Sequence, residues 1–428
     1  MPEQTSSHPA SRETLPKLYT HISPTLIPLI QGFITVAASA MFSRILSAIT
    51  AILLIRYFAS PVLYGQYATI VTQLTLISTF LGLGIDTWLL REGGRDPEQL
   101  SMNARRLIVL KFLGVVLLII GLTIVWYQVS LSWLIVVGML GVIAESYIRT
   151  CHVMLHALNR NSFVALLQSL SSVLAVGLIL LLMSWSPQVS YVIVGQTLVS
   201  GVSLLVAVTA LLSHWHGNWK PLHLIKLIQS ASFFIISDIF ATIYSQLHIF
   251  VLAIFTDNLS VGLFRSAVNL ITITFLVPTA MFNVILPWLS RSKLGSKQKV
   301  LIIQGMTGIS LGYGLVIICI FWWFSGNIVN LIYGNRYSEI IPLLLPMSVI
   351  PLFKSLSFVA VAVLLSLEAQ KFRVFIQGFV IIFSMIGSLI SIPQFGLDGA
   401  IWVYVAIEGL LSVLYGLGAL VIWRKRVI

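Results

Sequence analysis

The run Arg44–Arg91, RILSAITAILLIRYFASPVLYGQYATIVTQLTLISTFLGLGIDTWLLR, decides the fold. Two long apolar stretches flank a short turn at Ser60-Pro61, and no charge interrupts the chain between Arg56 and Asp86. A bilayer's hydrocarbon core is about 30 Å thick, so a helix needs roughly 20 apolar residues to cross it. The second stretch meets that length, and the first does so when followed back to residue 32. The same texture fills the rest of the chain: 428 residues, 58% hydrophobic and 9% charged, with a mean hydropathy of +1.00. A soluble domain carries about 25% charged residues. This chain lacks the charge to cover a water-facing surface.

Working outward, the sequence predicts an all-α polytopic membrane protein of about 12 transmembrane helices. The expected spans are 32–57, 64–90, 104–127, 131–157, 162–185, 189–213, 229–256, 259–289, 299–325, 337–366, 373–392 and 399–423. Short connections carry turn signals, among them Ser186-Pro187, Asp257-Asn258 and Pro393 followed by Gly396. With loops numbered alternately, one set holds nearly all the loop Lys and Arg, and the other holds only Arg56 and Arg336. The positive-inside rule then places both termini in the cytoplasm and makes the number of spans even. The first thirty residues are polar, so the first span is expected to act as an uncleaved anchor.

The net charge of +12 is thereby explained as orientation and attraction to anionic lipid, and nucleic acid is not an expected partner. Cys151 and Cys319 lie in apolar stretches and match no metal spacing.

The longest inner connection, 214–228 (HWHGNWKPLHLIKLI), reads as an interfacial amphipathic linker. It divides the chain into an N-terminal segment 1–31, an N lobe 32–213 and a C lobe 229–428, each lobe with six spans. The lobes resemble each other. Ser60–Tyr67 aligns with Asp257–Phe264 at an offset of 197 (257 minus 60), pairing Gly65 with Gly262. Leu158–Gln168 aligns with Leu367–Gln377 at an offset of 209 (367 minus 158). Six spans per lobe make the repeat parallel, as in secondary transporters whose substrate site lies between the halves.

A charge in the bilayer centre costs about 2.5–3.5 kcal/mol on insertion scales, so such residues usually face a cavity or a partner. Arg44, Arg149, Arg265 and Lys354 are the candidate cavity cations. Glu145, Asp238, His248 and Glu408 are candidates for ion coupling or charge pairing. The 209 offset matches Glu145 with Lys354, and the 197 offset brings Asp238 within a turn of Arg44. Asp238, Thr242 and Ser245 share one helical face; Arg44 shares one with Ser47 and Ala48. Other readings compete. Glu145 and Arg149, four apart, could pair along their own helix. Arg149, Asp86 and Arg265 could snorkel. His248 could be a satisfied bundle histidine. No Walker A, HExxH or dinucleotide fingerprint is present, so the chain is expected not to be an enzyme and to need no cofactor beyond H+ or Na+ as coupling ion.

The opening stretch also resembles bacterial polysaccharide flippases of the Wzx type, in the polysaccharide transporter branch of the MOP superfamily. The resemblance rests on Gly65 and Tyr67, on Gly84, Ile85, Asp86, Leu89 and Arg91, on Tyr333-Gly334, and on PQFGLDGAIWVY from Pro393 to Tyr404. It covers nearly the whole chain. It implies two six-helix lobes of MATE-like fold around a cationic cavity in the bacterial inner membrane. It also implies translocation of undecaprenyl-diphosphate-linked oligosaccharide for O-antigen, capsule or exopolysaccharide, alongside a polysaccharide polymerase. Asp86 and Arg91, closing the second span, are then the candidate cytoplasmic gate. The rivals are a multidrug or cation antiporter of the same superfamily, a peptidoglycan-precursor flippase, and a membrane-embedded glycosyltransferase or polymerase. Cationic deep residues disfavour the first, the number of spans the second, and short outer loops the third.

Overall fold

The computed structural model describes residues 26–82, 85–95, 97–128, 132–158, 160–212, 224–289 and 296–427. Among these there is no strand. The helices are α1 (Leu26–Phe58), α2 (Pro61–Gly82), α3 (Ile85–Arg95), α4 (Pro97–Gln128), α5 (Trp133–Ala157), α6 (Asn161–Leu182) and α7 (Val189–Leu212). They continue with α8 (Leu224–Phe255), α9 (Asn258–Ile273), α10 (Leu276–Leu289), α11 (Ser296–Ile332), α12 (Ile341–Met347), α13 (Ile350–Ser366) and α14 (Gln370–Val427). Six described helices are long and apolar enough to cross a membrane, or eight if each of two bent pairs counts as one span. The expected N-terminal segment lies largely outside the described residues, as does the linker 214–228 up to Leu224, where α8 begins.

Two expected spans are bent, and the bends have causes. α9 and α10 meet at 43°. Pro278, in the first turn of α10, has no N–H to donate to the Thr274 carbonyl one turn back. That carbonyl instead accepts a 2.6 Å hydrogen bond from the Tyr313 hydroxyl of α11. The expected span 337–366 is a 3-10 turn (Asn335–Ile340) and α12, bent by 46° from α13. Pro351 removes the corresponding bond to the Met347 carbonyl.

α14 is one helical run only in name. Gly396 has φ 57 and ψ −127, which only glycine adopts without strain. The chain folds back there, so that Gly418 lies against Phe372 and Gly387 against Val403. These two arms match the expected spans 373–392 and 399–423.

Two faces can now be distinguished. The terminal face carries the end of α14 and the start of α1. The distal face carries the turns after α1, α6 and α8. Trp133, Trp185 and Trp402 stand exposed near the distal face, as aromatic residues do at a membrane interface. Asp257 caps α9 there by accepting from the Ser260 amide at 2.9 Å. The Ser260 hydroxyl and amide hold its carboxyl below the usual carboxylate range.

The apolar core is continuous at the distal face and divided at the terminal face. One cluster joins Ile55, Phe58, Tyr64 and Tyr67 of the N-terminal half to Val261, Phe264, Tyr337 and Met347 of the C-terminal half. Nearer the terminal face, a cluster of α3–α7 takes in Leu227 and Ala231 at the start of α8. A separate one unites α10, α13 and α14. α8 therefore runs from the first half to the shared distal core.

The shared core closes on the two aligned glycines. A methyl group at Gly65 would collide with the Asn258 carbonyl oxygen, and one at Gly262 with the Pro61 carbonyl oxygen. Asn258 and Pro61 are themselves partners under the 197 offset, so the contact is reciprocal. Overpacking of this kind costs about 1–3 kcal/mol. Gly262→Ala should lower the apparent Tm of the purified protein by several degrees. Gly177→Ala, whose added methyl meets nothing within 4 Å, should leave it unchanged.

Candidate functional site

A cavity of about 390 Å³ lies between the halves. α1 supplies one wall with Arg44, Ser47, Ala48, Ala51 and Ile52. The opposite wall comes from Asn269 and Thr272 of α9, Phe275, Leu276 and Thr279 at the α9–α10 bend, and Phe358 of α13. The small residues at three- and four-residue spacing leave Arg44 room to project. Arg44 is exposed, and among the described residues no carboxylate pairs with it or lines this cavity.

The cavity is roofed on the distal side. Tyr333 lines it and donates to the Ser266 carbonyl at 3.2 Å. Asn269 donates to the Tyr64 hydroxyl at 2.7 Å, joining α9 to α2. Above these, the two basic residues of the outer loops bind across the halves. Arg56 donates through Nε to the Ile332 carbonyl at 2.7 Å and through Nη2 to the Leu331 carbonyl. Arg336 donates to the Ala59 carbonyl at 3.1 Å. Ala59 has φ 49, a left-handed conformation uncommon for a residue with a Cβ. Each arginine thus satisfies carbonyls that a helix end leaves without an intrahelical donor.

The other predicted cations occupy different places. Arg265 is half-buried on α9, one turn from Asn269, and acts electrostatically on Tyr64, Tyr67 and Tyr404. It sits in the aromatic roof. Lys354 is paired: its Nζ lies 2.9 and 3.3 Å from the Glu408 carboxylate oxygens. It also lies 5.4 Å from the Tyr244 ring centroid and 5.6 Å from that of Phe275. Arg149 is exposed on α5, and no ion pair joins it to Glu145.

Glu145 faces a second chamber, of about 510 Å³, inside the first half. Its neighbours there include Tyr67, Gln168, Gln196 and Ser200. The Ser200 hydroxyl donates to it at 3.4 Å, and Gln196 and Tyr67 are hydrogen-bonded to each other. Glu145 does not meet Lys354, and Asp238 does not meet Arg44; Asp238 is exposed on α8 and lines neither chamber. His248 is buried, with Nδ1 3.2 Å from the Ser388 hydroxyl and Nε2 3.4 Å from that of Ser384. Both ring nitrogens are therefore occupied in tying α8 to α14.

Asp86 lies inside the first half, bonded to Lys111 of α4 at 2.8 and 3.0 Å. Lys111 is 3% exposed. Its ammonium also donates to the Ser146 carbonyl at 2.8 Å and the Thr150 hydroxyl at 2.7 Å, and Thr150 donates to Asp86 at 2.8 Å. Three ammonium donors thus have three acceptors. Arg91 falls on α3, but its side chain lies outside the described residues. Lys111 is the residue that sequence reasoning missed, as it belongs to neither the loops nor the deep set named above. Its signal was a lysine interrupting an apolar run that begins at Leu107, after the four residues Leu107–Leu110.

A family model described as "Polysaccharide biosynthesis protein" matches residues 29–293. The fold is similar to that of a lipid II flippase, MurJ, in an inward closed conformation. The TM-score is 0.72 at 14% identity, over 92% of this chain and 87% of that one. It is also similar to an inward-facing multidrug-resistance MATE-family transporter of the MOP superfamily, with a TM-score of 0.63 at 14% identity, over 89% of this chain and 94% of that one. A MOP-superfamily transporter from Pyrococcus furiosus matches with a TM-score of 0.64 at 13% identity, over 92% and 95% of the two chains. No curated protein matches. At these identities the likeness is one of fold.

Removing one member of a buried ion pair costs about 3–5 kcal/mol, because the other is left charged without a partner. Lys111→Met should therefore strongly lower the folded yield and Tm. Asp86→Asn placed in the same chain should restore much of the loss, as measured by thermal unfolding in detergent.

Proposed function

Since this chain belongs to the polysaccharide biosynthesis protein family, we propose that it flips undecaprenyl-diphosphate-linked oligosaccharide from the inner to the outer leaflet of the bacterial inner membrane. In this reading twelve spans form two lobes, 32–213 and 229–428, with both termini in the cytoplasm. The terminal face is then cytoplasmic and the distal face periplasmic, where a polysaccharide polymerase would receive the glycan. The MOP-type transporter fold agrees with this.

The observation that carries the reading is Arg44 facing an interlobe cavity whose described lining contains no acid. A diphosphate headgroup needs such a cation, because guanidinium matches phosphate oxygens geometrically and stays charged. Asn269, Thr272 and Thr279 offer hydrogen bonds to sugar hydroxyls, and Phe275 and Phe358 offer ring faces. An organic cation would meet Arg44 with no compensating carboxylate, which disfavours the drug-antiporter reading. A polymerase or transferase would need a catalytic constellation, and the cavity presents none among its described residues.

The packing supports entry from the cytoplasmic side. The core is shared at the distal face and divided at the terminal one, while Arg56 and Arg336 bridge the halves distally. Opening outward requires those bridges and the glycine contact to part. The membrane potential drives the anion the right way. Each charge gains about 2.3 kcal/mol per 100 mV, so a doubly charged headgroup gains roughly 4–5 kcal/mol on moving outward. Glu145, in a chamber of hydroxyls and amides, is an acid suited to taking H+ or Na+ if the return step is coupled; Asp238 is a second such acid. His248 serves as a structural tie.

Arg44→Ala should reduce surface polysaccharide about tenfold or more, the worth of a lost charge-assisted hydrogen bond. Arg44→Lys should retain part of it. Export is compared in a strain lacking the chromosomal copy, at matched membrane levels of protein. Normal export by the alanine variant would remove Arg44 from substrate binding.

A further inference from the structure

The two paired lysines, Lys111 buried and Lys354 half-buried, are satisfied very differently. Lys111 has an acceptor for each ammonium proton. Lys354 has one carboxylate and two aromatic faces, so its remaining donors have no oxygen acceptor among the described residues. It also stands at a boundary. Glu408, 1% exposed, lies on its closed side. The Lys354 ammonium also lies 5.6 Å from the Phe275 ring centroid, and Phe358 is one turn along α13; both rings line the interlobe cavity. Its own side chain is 20% exposed.

We propose that Lys354 is an exchangeable counter-cation, shared between Glu408 and the anionic headgroup of the substrate. This deepens the flippase reading and rests on it. When a diphosphate enters, the ammonium turns from Glu408 to a phosphate oxygen and completes a two-cation clamp with Arg44. Glu408, 1% exposed, then loses its counter-cation and keeps only tyrosine hydroxyls around it. A buried carboxylate so placed takes up a proton in preference to remaining charged. Arg44, Lys354 and Glu408 together carry one net positive charge before binding, and a doubly charged headgroup arriving with one H+ on Glu408 leaves the site neutral. Headgroup binding thereby becomes proton uptake, with Glu408 as the acid that counts.

The groups facing Glu408 leave it as the one that switches. α13 contributes Lys354, and α8 contributes Tyr244. α14 contributes Tyr404 and Tyr415, the latter bonded by Arg373. His248 packs on Tyr404 with both nitrogens engaged by serines, and Arg265 reaches Tyr404 from α9.

The test is calorimetric titration of the full-length protein in lipid nanodiscs with farnesyl-diphospho-N-acetylglucosamine, whose phosphodiester groups do not titrate near neutral pH. Running it between about pH 5.5 and 8.5, in buffers of different ionisation enthalpy, counts protons directly. We expect the wild type to take up a proton on binding. Its apparent Kd should rise by up to about tenfold per pH unit in the alkaline range. Glu408→Gln should bind at high pH about as tightly as the wild type does at low pH, with no proton uptake. Lys354→Met should bind weakly at every pH. Wild-type binding without proton uptake, or an unchanged pH dependence in Glu408→Gln, overturns the exchange while leaving the flippase reading standing. No binding of this probe at any pH overturns both. The wild-type proton count decides the matter even if a variant fails to fold.

Discussion

The close approach of α2 and α9 at Gly65 and Gly262 is the contact on which the arrangement depends. Each glycine admits a backbone carbonyl of the other half. No side chain could occupy that space, so the two helices meet main chain to main chain. Around this point gather the tyrosine-rich roof, the Asn269–Tyr64 bond and the two arginine bridges. Below it the core divides into two clusters, and α8, packed on α2 and α3, carries the connection between the halves.

The two ion pairs show how burial can serve opposite ends. Asp86 and Lys111 form a closed network that pins α3, α4 and α5 together. Every donor is used, and the group has nothing to offer a ligand. Lys354 and Glu408 form an open one. Both pairs would look alike in a list of charges within apolar runs, yet only the second borders the interlobe cavity.

Much of this was legible in the sequence. Apolar run length marked the helices, and the repeat at offset 197 paired Gly65 with Gly262, which then proved to be in contact. Depth and small neighbours singled out Arg44, which lines the cavity between the halves. What failed to show was partnership. The 209 offset set Lys354 and Glu145 at equivalent depths but could not name the partner of Lys354, Glu408, because an ion pair depends on how helices rotate against one another and sequence spacing does not encode rotation. The partner of Asp86 was hidden in the same way, 25 residues away on another helix. The bends were written in the sequence as Pro278 and Pro351, but a proline in an apolar run shows only that a hydrogen bond is missing. The Tyr313 hydroxyl that accommodates the loss at Thr274 comes from a distant helix.

That bend has a mechanical meaning. One wall of the cavity is α1, a single unbroken helix; the other is hung on a joint between α9 and α10 and a second joint ahead of α13. Compliance is therefore concentrated on one side, and the straight wall acts as an anvil. The width of the cavity is then governed by the set of two hinges, more than by the bulk of the residues lining it. A substitution at Pro278 or Tyr313 would reset that width without changing any residue of the lining.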